Sequence, residues 1–250
     1  MELGFVEEFY DHYAERYTKR RTEGGLLFNE FIERPAFHDL LGNTSELKDK
    51  RVLDIGCGPG IYTKDLVANG AKITAIDISN KMLGMAKQYC LNRLSAEQFE
   101  GINFKHVSFE NYIGEKGQTD LIVATFMLSY FTNLEAFFLK CKSLLNRKGR
   151  LISSILHPVR TASIADNDGY VVKDYFKSNY YESDFISKST KIALNRWTLE
   201  EISNAAYKAG LLIERILEPS PISNLPKEYE SKANFFRNNP SILMVMLLKL

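Results

Sequence analysis

The sequence predicts an α/β protein built on a doubly wound, mostly parallel sheet. Short apolar strands alternate with helices from residue 51 onward, the links between them are short, and a glycine-rich bend follows the first strand. Such alternation forms βαβ units, whose parallel sheet is covered by helices on both faces. At 250 residues the chain can bury one large core, so we expect a single domain.

A helical cap is expected ahead of the sheet, over residues 1–45. Aromatic and apolar residues recur at helical spacing over 6–17, which predicts an amphipathic helix. A second helical stretch, 26–32, is bounded by Pro35, and a third reaches Leu41 and stops at Gly42.

The remainder of the chain is expected to form the ligand-binding core (46–156), an insertion or lid (157–196) and a segment that completes the sheet (197–250). The predicted strands are 51–55, 72–77, 102–107, 120–125, 150–155, 211–217 and 242–248. The predicted helices are 62–69, 80–93, 134–145 and 199–209.

Charge, cysteine spacing and the length of the apolar segments indicate which partners and sites the protein is not expected to have. The formal net charge is +1, and the basic cluster at residues 19–21 is interpreted as the solvated end of a helix, so we expect no nucleic-acid partner. Cys57, Cys90 and Cys141 stand far apart, which favours neither disulfides nor a zinc site. The N-terminus lacks the pattern of a signal peptide, and the longest apolar run, 242–248, is too short to span a bilayer. We therefore expect a cytoplasmic protein with no membrane partner.

The glycine-rich bend at residues 56–60 is the strongest motif. Glycines allow a sharp turn off the strand and bring backbone N–H groups close to a ligand, and the next helix points its N-terminus at the same place. A pyrophosphate-binding loop needs G-x-G-x-x-G, but the third glycine would fall at Ile61. Asp54, just before the bend, instead suits a ligand with both ammonium and carboxylate groups, such as the methionine part of S-adenosylmethionine.

In these residues the chain resembles the class I S-adenosylmethionine-dependent methyltransferases, whose first motif is an acidic residue, an apolar residue and G-x-G-x-G. The resemblance implies a Rossmann-like sheet of seven strands, the last antiparallel. It implies that Asp54 anchors the loop and the amino group of the cofactor. The residues that it implies around the methionine moiety are Gly56, Cys57, Gly58 and Gly60.

The same resemblance assigns the rest of the cofactor site. Asp77 ends the second strand, where the family places an acidic residue that binds the ribose hydroxyls. By position, it places Ile78 and Met82 against adenine and ribose, and Ser108 and Phe109 at adenine. It places Thr125 beside the methionine moiety and Tyr17, on the cap helix, over the cofactor. Ser108-Phe109 replaces the usual Asp-Ala, although a serine hydroxyl can still accept a hydrogen bond from adenine.

His157 is the candidate general base, because the pair His157-Pro158 follows the fifth strand, as in similar small-molecule methyltransferases. An imidazole suits proton removal near neutral pH, although a histidine beside proline also commonly fixes a turn. The relatives also share the segments 174–176, 197–199 and 217–219. The other three histidines are expected to be structural.

Aromatic residues of the insertion form either walls around a flat or cationic substrate or a small core under a long loop. They are Tyr170, Tyr175, Phe176, Tyr180, Tyr181 and Phe185.

The sequence thus predicts S-adenosylmethionine-dependent methyl transfer to an O, N or C nucleophile of a small molecule, with no metal. Orientation and exclusion of water can supply most of the rate, because the sulfonium methyl group is already electrophilic. One alternative is a non-catalytic protein that binds S-adenosylmethionine or S-adenosylhomocysteine. The other is a nicotinamide-dependent oxidoreductase, which Ile61 disfavours.

Overall fold

A seven-stranded sheet forms the centre of the computed structural model, which describes residues 3–23, 26–165, 169–176, 180–185, 187 and 189–250, with residues 165 and 170 as backbone only. Its strands are β1 (Arg51–Ile55), β2 (Lys72–Asp77), β3 (Asn103–His106), β4 (Thr119–Ala124), β5 (Leu145–Leu156), β10 (Leu212–Leu217) and β11 (Ile242–Leu248). Two hairpins lie in the insertion, β6 (Ser163–Ala165) with β7 (Tyr170–Val172), and β8 (Tyr180–Asp184) with β9 (Lys191–Asn195).

The strand order is β10-β11-β5-β4-β1-β2-β3. β1 pairs in parallel with both β2 and β4, whereas β11 is antiparallel to β5 and β10. The predicted fold class is confirmed, including the antiparallel last strand. Because the chain moves outward in opposite directions from β1 and β4, the loops that follow these two strands diverge and leave a crevice.

Helices cover both faces of the sheet. They are α1 (Leu3–Thr22), α2 (Arg34–Leu41), α3 (Ile61–Ala68), α4 (Asn80–Leu91), α5 (Ala96–Glu100), α6 (Leu134–Leu144), α7 (Pro158–Thr161), α8 (Leu199–Ala209) and α9 (Glu230–Asn238). A π-helical turn, Asn29–Glu33, leads directly into α2. In the part of the chain that the structure describes, no helix is long and apolar enough to cross a membrane.

Neighbouring side chains of β1 enter opposite layers of the core. Val52 packs with the side of the sheet that carries α2, α3 and α4, whereas Leu53 packs with the side that carries α6 and α8. Since both faces are buried from residue 52 onward, the strand is apolar after its exposed first residue, Arg51, apart from Asp54. That exception lies within the layer beneath α3.

Pro35 does not separate two helices, contrary to the sequence prediction. Glu33 and Arg34 keep right-handed helical backbone angles, so the π-helical turn and α2 form one continuous segment. The carbonyl of Phe31, which a residue other than proline at position 35 could have bonded, instead accepts a hydrogen bond from the amide of Ile222 at 3.0 Å. A tertiary contact therefore satisfies the group that proline leaves without its helical partner.

The sequence analysis also assigned no structure to α5, α9 or the hairpins of the insertion. The short α5 depends on a reciprocal cap between Ser95 and Gln98, a local pattern that the apolar periodicity does not contain.

Candidate active site

A cavity of about 1040 Å³, including its mouth, lies at the carboxyl ends of β1, β2 and β4, with α1 above it. Ten of the predicted site residues line it: Tyr17, Gly56, Cys57, Gly58, Asp77, Ile78, Met82, Ser108, Phe109 and Thr125. A concave space that apolar and aromatic side chains line together with a few polar groups is typical of a small-molecule site. Asp54, Gly60 and His157 do not line the cavity.

The glycine bend supplies space rather than hydrogen-bond donors. Gly56 and Gly58 have φ angles of +64° and +52°, and a Cβ atom at Gly58 would meet nothing within 4 Å. The amides of Cys57, Gly58 and Gly60 donate within the protein, to Ile76 O, Asp77 Oδ2 and Cys57 O at 3.0, 2.8 and 3.0 Å. The expectation that these amides point at the ligand is therefore wrong for these three residues.

Gly60 serves the packing of two helices. Its φ angle is +82°, and a Cβ atom there would lie 3.0 Å from the Cα atom of Ala86 in α4. This close approach lets α4 pack against the start of α3. Its predicted place in the pocket wall is taken by Ile61 and Tyr62, the first two residues of α3.

Asp54 lies beneath the bend rather than in the cavity. Its side chain is buried, and Thr63 of α3 donates to its Oδ2 at 2.6 Å. Burial raises the pKa of Asp54 to about 7, and the hydrogen bond from Thr63 opposes this increase. The carboxyl group anchors the loop to α3, as expected. Because it does not line the cavity, it does not directly contact the amino group of a ligand there.

Asp77 connects the bend to the tip of β2. Its Oδ2 accepts from the amide of Gly58 at 2.8 Å and its Oδ1 from the amide of Ser79 at 2.9 Å. Burial raises its pKa to about 6, and these two amide bonds oppose the shift. Carboxylate oxygens can each accept more than one hydrogen bond, so both stay available to hydroxyl groups of a ligand in the cavity.

Helix α1 is held over the cavity by an acidic side chain. Asp11 Oδ1 accepts from Ser79 Oγ at 2.5 Å and from the amide of Lys81 at 3.1 Å, beside the N-terminus of α4. Tyr10, Tyr17 and Arg21 of α1 all line the cavity. Their spacing of seven and four residues places them on one face of the helix, a signal that was available in the sequence.

Arg21 is not a solvated residue, contrary to the interpretation of the basic cluster. Its side chain is only 6% exposed, whereas Lys19 and Arg20 are exposed. Nη1 donates to Tyr17 OH at 3.3 Å, Nη2 lies 3.9 Å from Glu30 Oε1, and Nε is buried without a partner in the described structure. Because Arg21 also lines the cavity, its positive charge can stabilise an anionic group of a ligand there.

Two phenols close the side of the cavity beside the loop that follows β4. The hydroxyls of Tyr10 and Tyr130 form a hydrogen bond, and burial raises the pKa of both well above the ordinary value. They are therefore neutral donors and acceptors near neutral pH. Tyr130 and Tyr62 were not among the predicted site residues. Tyr130 reaches the cavity through tertiary packing, whereas Tyr62 directly follows the glycine bend, a position that could have indicated it.

The insertion packs behind the cavity wall through Phe185. Its ring stacks on Tyr17 at 5.2 Å between centroids and contacts Tyr10 edge-on at 5.3 Å. The other insertion aromatics differ: Tyr181 is largely buried, Tyr175 accepts a hydrogen bond from the Leu199 amide, Phe176 and Tyr180 are exposed, and the side chain of Tyr170 lies outside the described residues. None of the described ones lines the cavity directly.

His157 is buried and caps the short helix α7. Its Nδ1 accepts from the amide of Val159 at 3.2 Å, which places the proton on Nε2, 2.7 Å from Glu218 Oε1. Burial lowers the pKa of His157, and the contact with Glu218 opposes that shift. A base needs a free lone pair that faces the substrate, and this ring uses its lone pair in the cap.

The family model described as a methyltransferase domain matches residues 52–149, the segment that carries β1 to the middle of β5 and most of the cavity. Over these residues the chain is similar to methyltransferase domains. The family prediction made from the glycine bend and Asp77 is confirmed, and this assignment disfavours the nicotinamide alternative.

Relatives extend the comparison beyond that methyltransferase domain. The chain is 30% identical over 48% of its length to the ubiquinone biosynthesis O-methyltransferase of Aromatoleum aromaticum, and it spans 49% of that protein. It is 28% identical over 65% of its length to the enzyme of the same name from Xanthomonas euvesicatoria, of which it spans 69%. An S-adenosylmethionine-dependent methyltransferase structure from Mesorhizobium loti matches with a TM-score of 0.72 and 21% identity, over 87% of this chain and 97% of that one.

Proposed function

We propose that the whole chain transfers a methyl group from S-adenosylmethionine to a nucleophile of a small molecule by in-line displacement. The observation that carries the proposal is the cavity, which opens at the switch point of the sheet between the glycine bend and Asp77 and is covered by α1. The name O-methyltransferase carried by the relatives favours an oxygen acceptor over nitrogen or carbon.

The residues of the cavity fit this cofactor. In our proposal Asp77 accepts hydrogen bonds from the ribose hydroxyls, and Gly58 leaves the space that the chain of the methionine moiety crosses. Arg21 binds the carboxylate of that moiety, because it brings a positive charge to the wall of the cavity. Adenine lies in the apolar part of the cavity that Ile78, Met82, Ser108 and Phe109 line.

When bound, S-adenosylmethionine supplies an electrophilic methyl group on a sulfonium. The protein then has to orient the acceptor and exclude water. The aromatic wall formed by Tyr10, Phe126 and Tyr130 suits both tasks, since it is largely apolar and carries phenol groups that can orient a polar atom. In this proposal His157 is a structural cap rather than the base, because its ring lies outside the cavity wall.

Titration calorimetry with S-adenosylhomocysteine tests the cofactor site. We expect the wild type to bind it and the substitutions Asp77→Asn and Arg21→Gln each to weaken binding by about tenfold or more, the effect of losing a charge-assisted hydrogen bond. Arg20→Gln, on the exposed side of the same helix turn, is the matched control and should bind normally. Absence of binding by the wild type, or full affinity in Asp77→Asn, would contradict the proposal.

A screen that detects S-adenosylhomocysteine release from S-adenosylmethionine in the presence of hydroxylated small molecules tests catalysis. Turnover with one of them supports the enzyme. Tight binding of the cofactor without turnover on any nitrogen, oxygen or carbon acceptor would favour the non-catalytic binding protein.

A further inference from the structure

Glu33, at the end of the π-helical turn, carries a fully buried carboxylate beside the cavity. Its Oε1 accepts from Ser154 Oγ at 2.9 Å, and its Oε2 accepts from the hydroxyl of Tyr62. Burying a carboxylate is costly, so its retention in this place needs two good donors and a nearby positive charge. Arg21 provides that charge, and it is the group that most strongly opposes the effect of burial on Glu33.

Ser154 extends the contact of Glu33 to the loop that follows β4. Its Oγ accepts from the amide of Phe126 at 2.8 Å while it donates to Glu33. Phe126 has a φ angle of +55°, a left-handed conformation that is strained for a bulky residue. Such a conformation persists only where surrounding contacts impose it, and the hydrogen bond that the amide of Phe126 donates to Ser154 Oγ is such a contact.

Both hydrogen bonds of Glu33 lead to residues that line the cavity. Phe126 lines it next to Thr125 at the end of β4, and Tyr62 lines it in the first turn of α3. The ring of Tyr62 is held in addition by Phe37 of α2, at 4.7 Å between centroids. One carboxylate in the cap therefore connects two elements of the cavity wall, the loop after β4 and the start of α3.

We propose that Glu33 is a positioning residue for methyl transfer: through Ser154 it holds Phe126 in its left-handed conformation, and through Tyr62 it fixes the first turn of α3 at the same cavity. This inference rests on the proposed function, because it assigns the cofactor and its acceptor to that cavity. Glu33 itself touches neither in this arrangement, since it does not line the cavity.

Several charged groups surround this carboxylate. Arg21 approaches from α1, Glu30 from the same π-helical turn, and Arg34 from α2; Arg34 is in turn paired with Asp65 of α3 at 2.8 Å. Burial, only partly opposed by Arg21 and the bond from Ser154, raises the pKa of Glu33 to about 7. If the carboxylate of a ligand binds Arg21, the charge on Glu33 becomes less favourable, so binding and protonation of Glu33 are coupled reciprocally.

The test compares four variants that separate the hydrogen bonds of Glu33 from its charge. Ser154→Ala removes the hydrogen bonds of this serine to both Glu33 and Phe126 but leaves the one between Glu33 and Tyr62. Glu33→Ala removes the bonds to both Ser154 and Tyr62. Glu33→Gln keeps an oxygen for Ser154 and an amide for the Tyr62 oxygen but carries no charge. Ser153→Ala is the matched control, because Ser153 is an equally buried neighbour on β5 that bonds to Ala124 O instead.

Amide hydrogen exchange of Phe126, measured by NMR without any ligand, reports on the connection directly. We expect faster exchange in Ser154→Ala and Glu33→Ala and wild-type exchange in Glu33→Gln and Ser153→Ala. If Glu33→Ala does not fold, Ser154→Ala alone decides this measurement. Unchanged protection of Phe126 in Ser154→Ala would overturn the proposal.

Affinity for S-adenosylhomocysteine across about pH 6 to 9 is the second measurement. We expect Ser154→Ala to bind about fivefold more weakly than Ser153→Ala, the effect of one hydrogen bond. Glu33→Gln should bind well but lose the pH-dependent step near neutrality, since the proton linked to binding is gone. A wild-type pH profile in Glu33→Gln, or a fall in thermal stability in Ser154→Ala with unchanged affinity, would reduce Glu33 to a structural role. Failure of the wild type to bind at all would contradict the proposed function, while the exchange of Phe126 would still test the connection.

Discussion

Gly56 and Gly58 of the bend differ in what a side chain at each position would contact. At Gly56 a Cβ atom would lie 2.2 Å from Met127 Sδ, whereas at Gly58 it would project into open space at the cavity. Gly56 therefore gives room to a neighbour within the protein, and Gly58 gives room to a ligand.

Substituting each glycine with alanine should separate these roles. Gly58→Ala should cost about 1 kcal/mol in stability, from its positive φ angle, but abolish most of the affinity for S-adenosylhomocysteine. Gly56→Ala should destabilise the protein more, since Met127 must also move. Thermal unfolding and calorimetry on both variants check this. The prediction is contradicted if the two variants lose the same affinity and have the same stability.

At the same scale, the sequence predicted that the bend, Asp77 and the residues after β2 and β3 share one site, and these residues line one cavity. They were predictable because each follows a strand in an ordered motif. It did not place Glu33 or Tyr130, whose partners lie 121 and 120 residues away in the chain, at Ser154 and Tyr10. Contacts over such separations depend on packing of the cap onto the sheet, which no local pattern encodes.

Helix α1 is the element that decides access to the cavity. It is attached through Asp11 to the N-terminus of α4 and through Tyr17 to Phe185 of the insertion. The sequence predicted the helix from its aromatic periodicity, but its docking site was decided by these two contacts.

Asp11→Ala should therefore loosen α1. We expect faster tryptic cleavage after residues 19–21 and several-fold weaker binding of S-adenosylhomocysteine, because the two hydrogen bonds to Ser79 and Lys81 are lost. Glu8→Ala, at an exposed position of the same helix, is the control. Protection of the cleavage site by the ligand should shrink in Asp11→Ala, and equal cleavage rates in both variants would speak against the docking role.

On the scale of the whole molecule, three buried carboxyl groups have pKa values that burial raises. Burial raises the pKa of Glu33 and Asp54 to about 7 and that of Asp77 to about 6, above ordinary values of 4.5 and 3.8. The folded state thus binds more protons than the unfolded state between about pH 4 and pH 7. Through these groups the free energy of unfolding falls as pH rises through that window and levels off above it.

Asp54→Asn should remove part of this dependence. We expect its thermal midpoint to exceed that of the wild type by about 3 °C or more near pH 8, with the gain shrinking toward pH 4, where the wild-type carboxyl is already neutral in the folded state. Asp39→Asn, at an exposed carboxylate of α2, should leave the slope nearly unchanged. A pH-independent difference between Asp54→Asn and the wild type would contradict the linkage.

The order of strands, the glycine bend and the acidic tip of β2 were determined by the sequence itself, since they arise from apolar periodicity and from residues close together in the chain. The tertiary structure alone decided that Arg21 is buried at the cavity, that His157 caps a helix, and that Glu33 connects Ser154 of β5 with Tyr62 of α3. The physical reason is that charge and hydrogen-bond partners of these side chains come from distant segments. Their surroundings, and hence their chemistry, exist only once the cap and insertion are packed on the sheet.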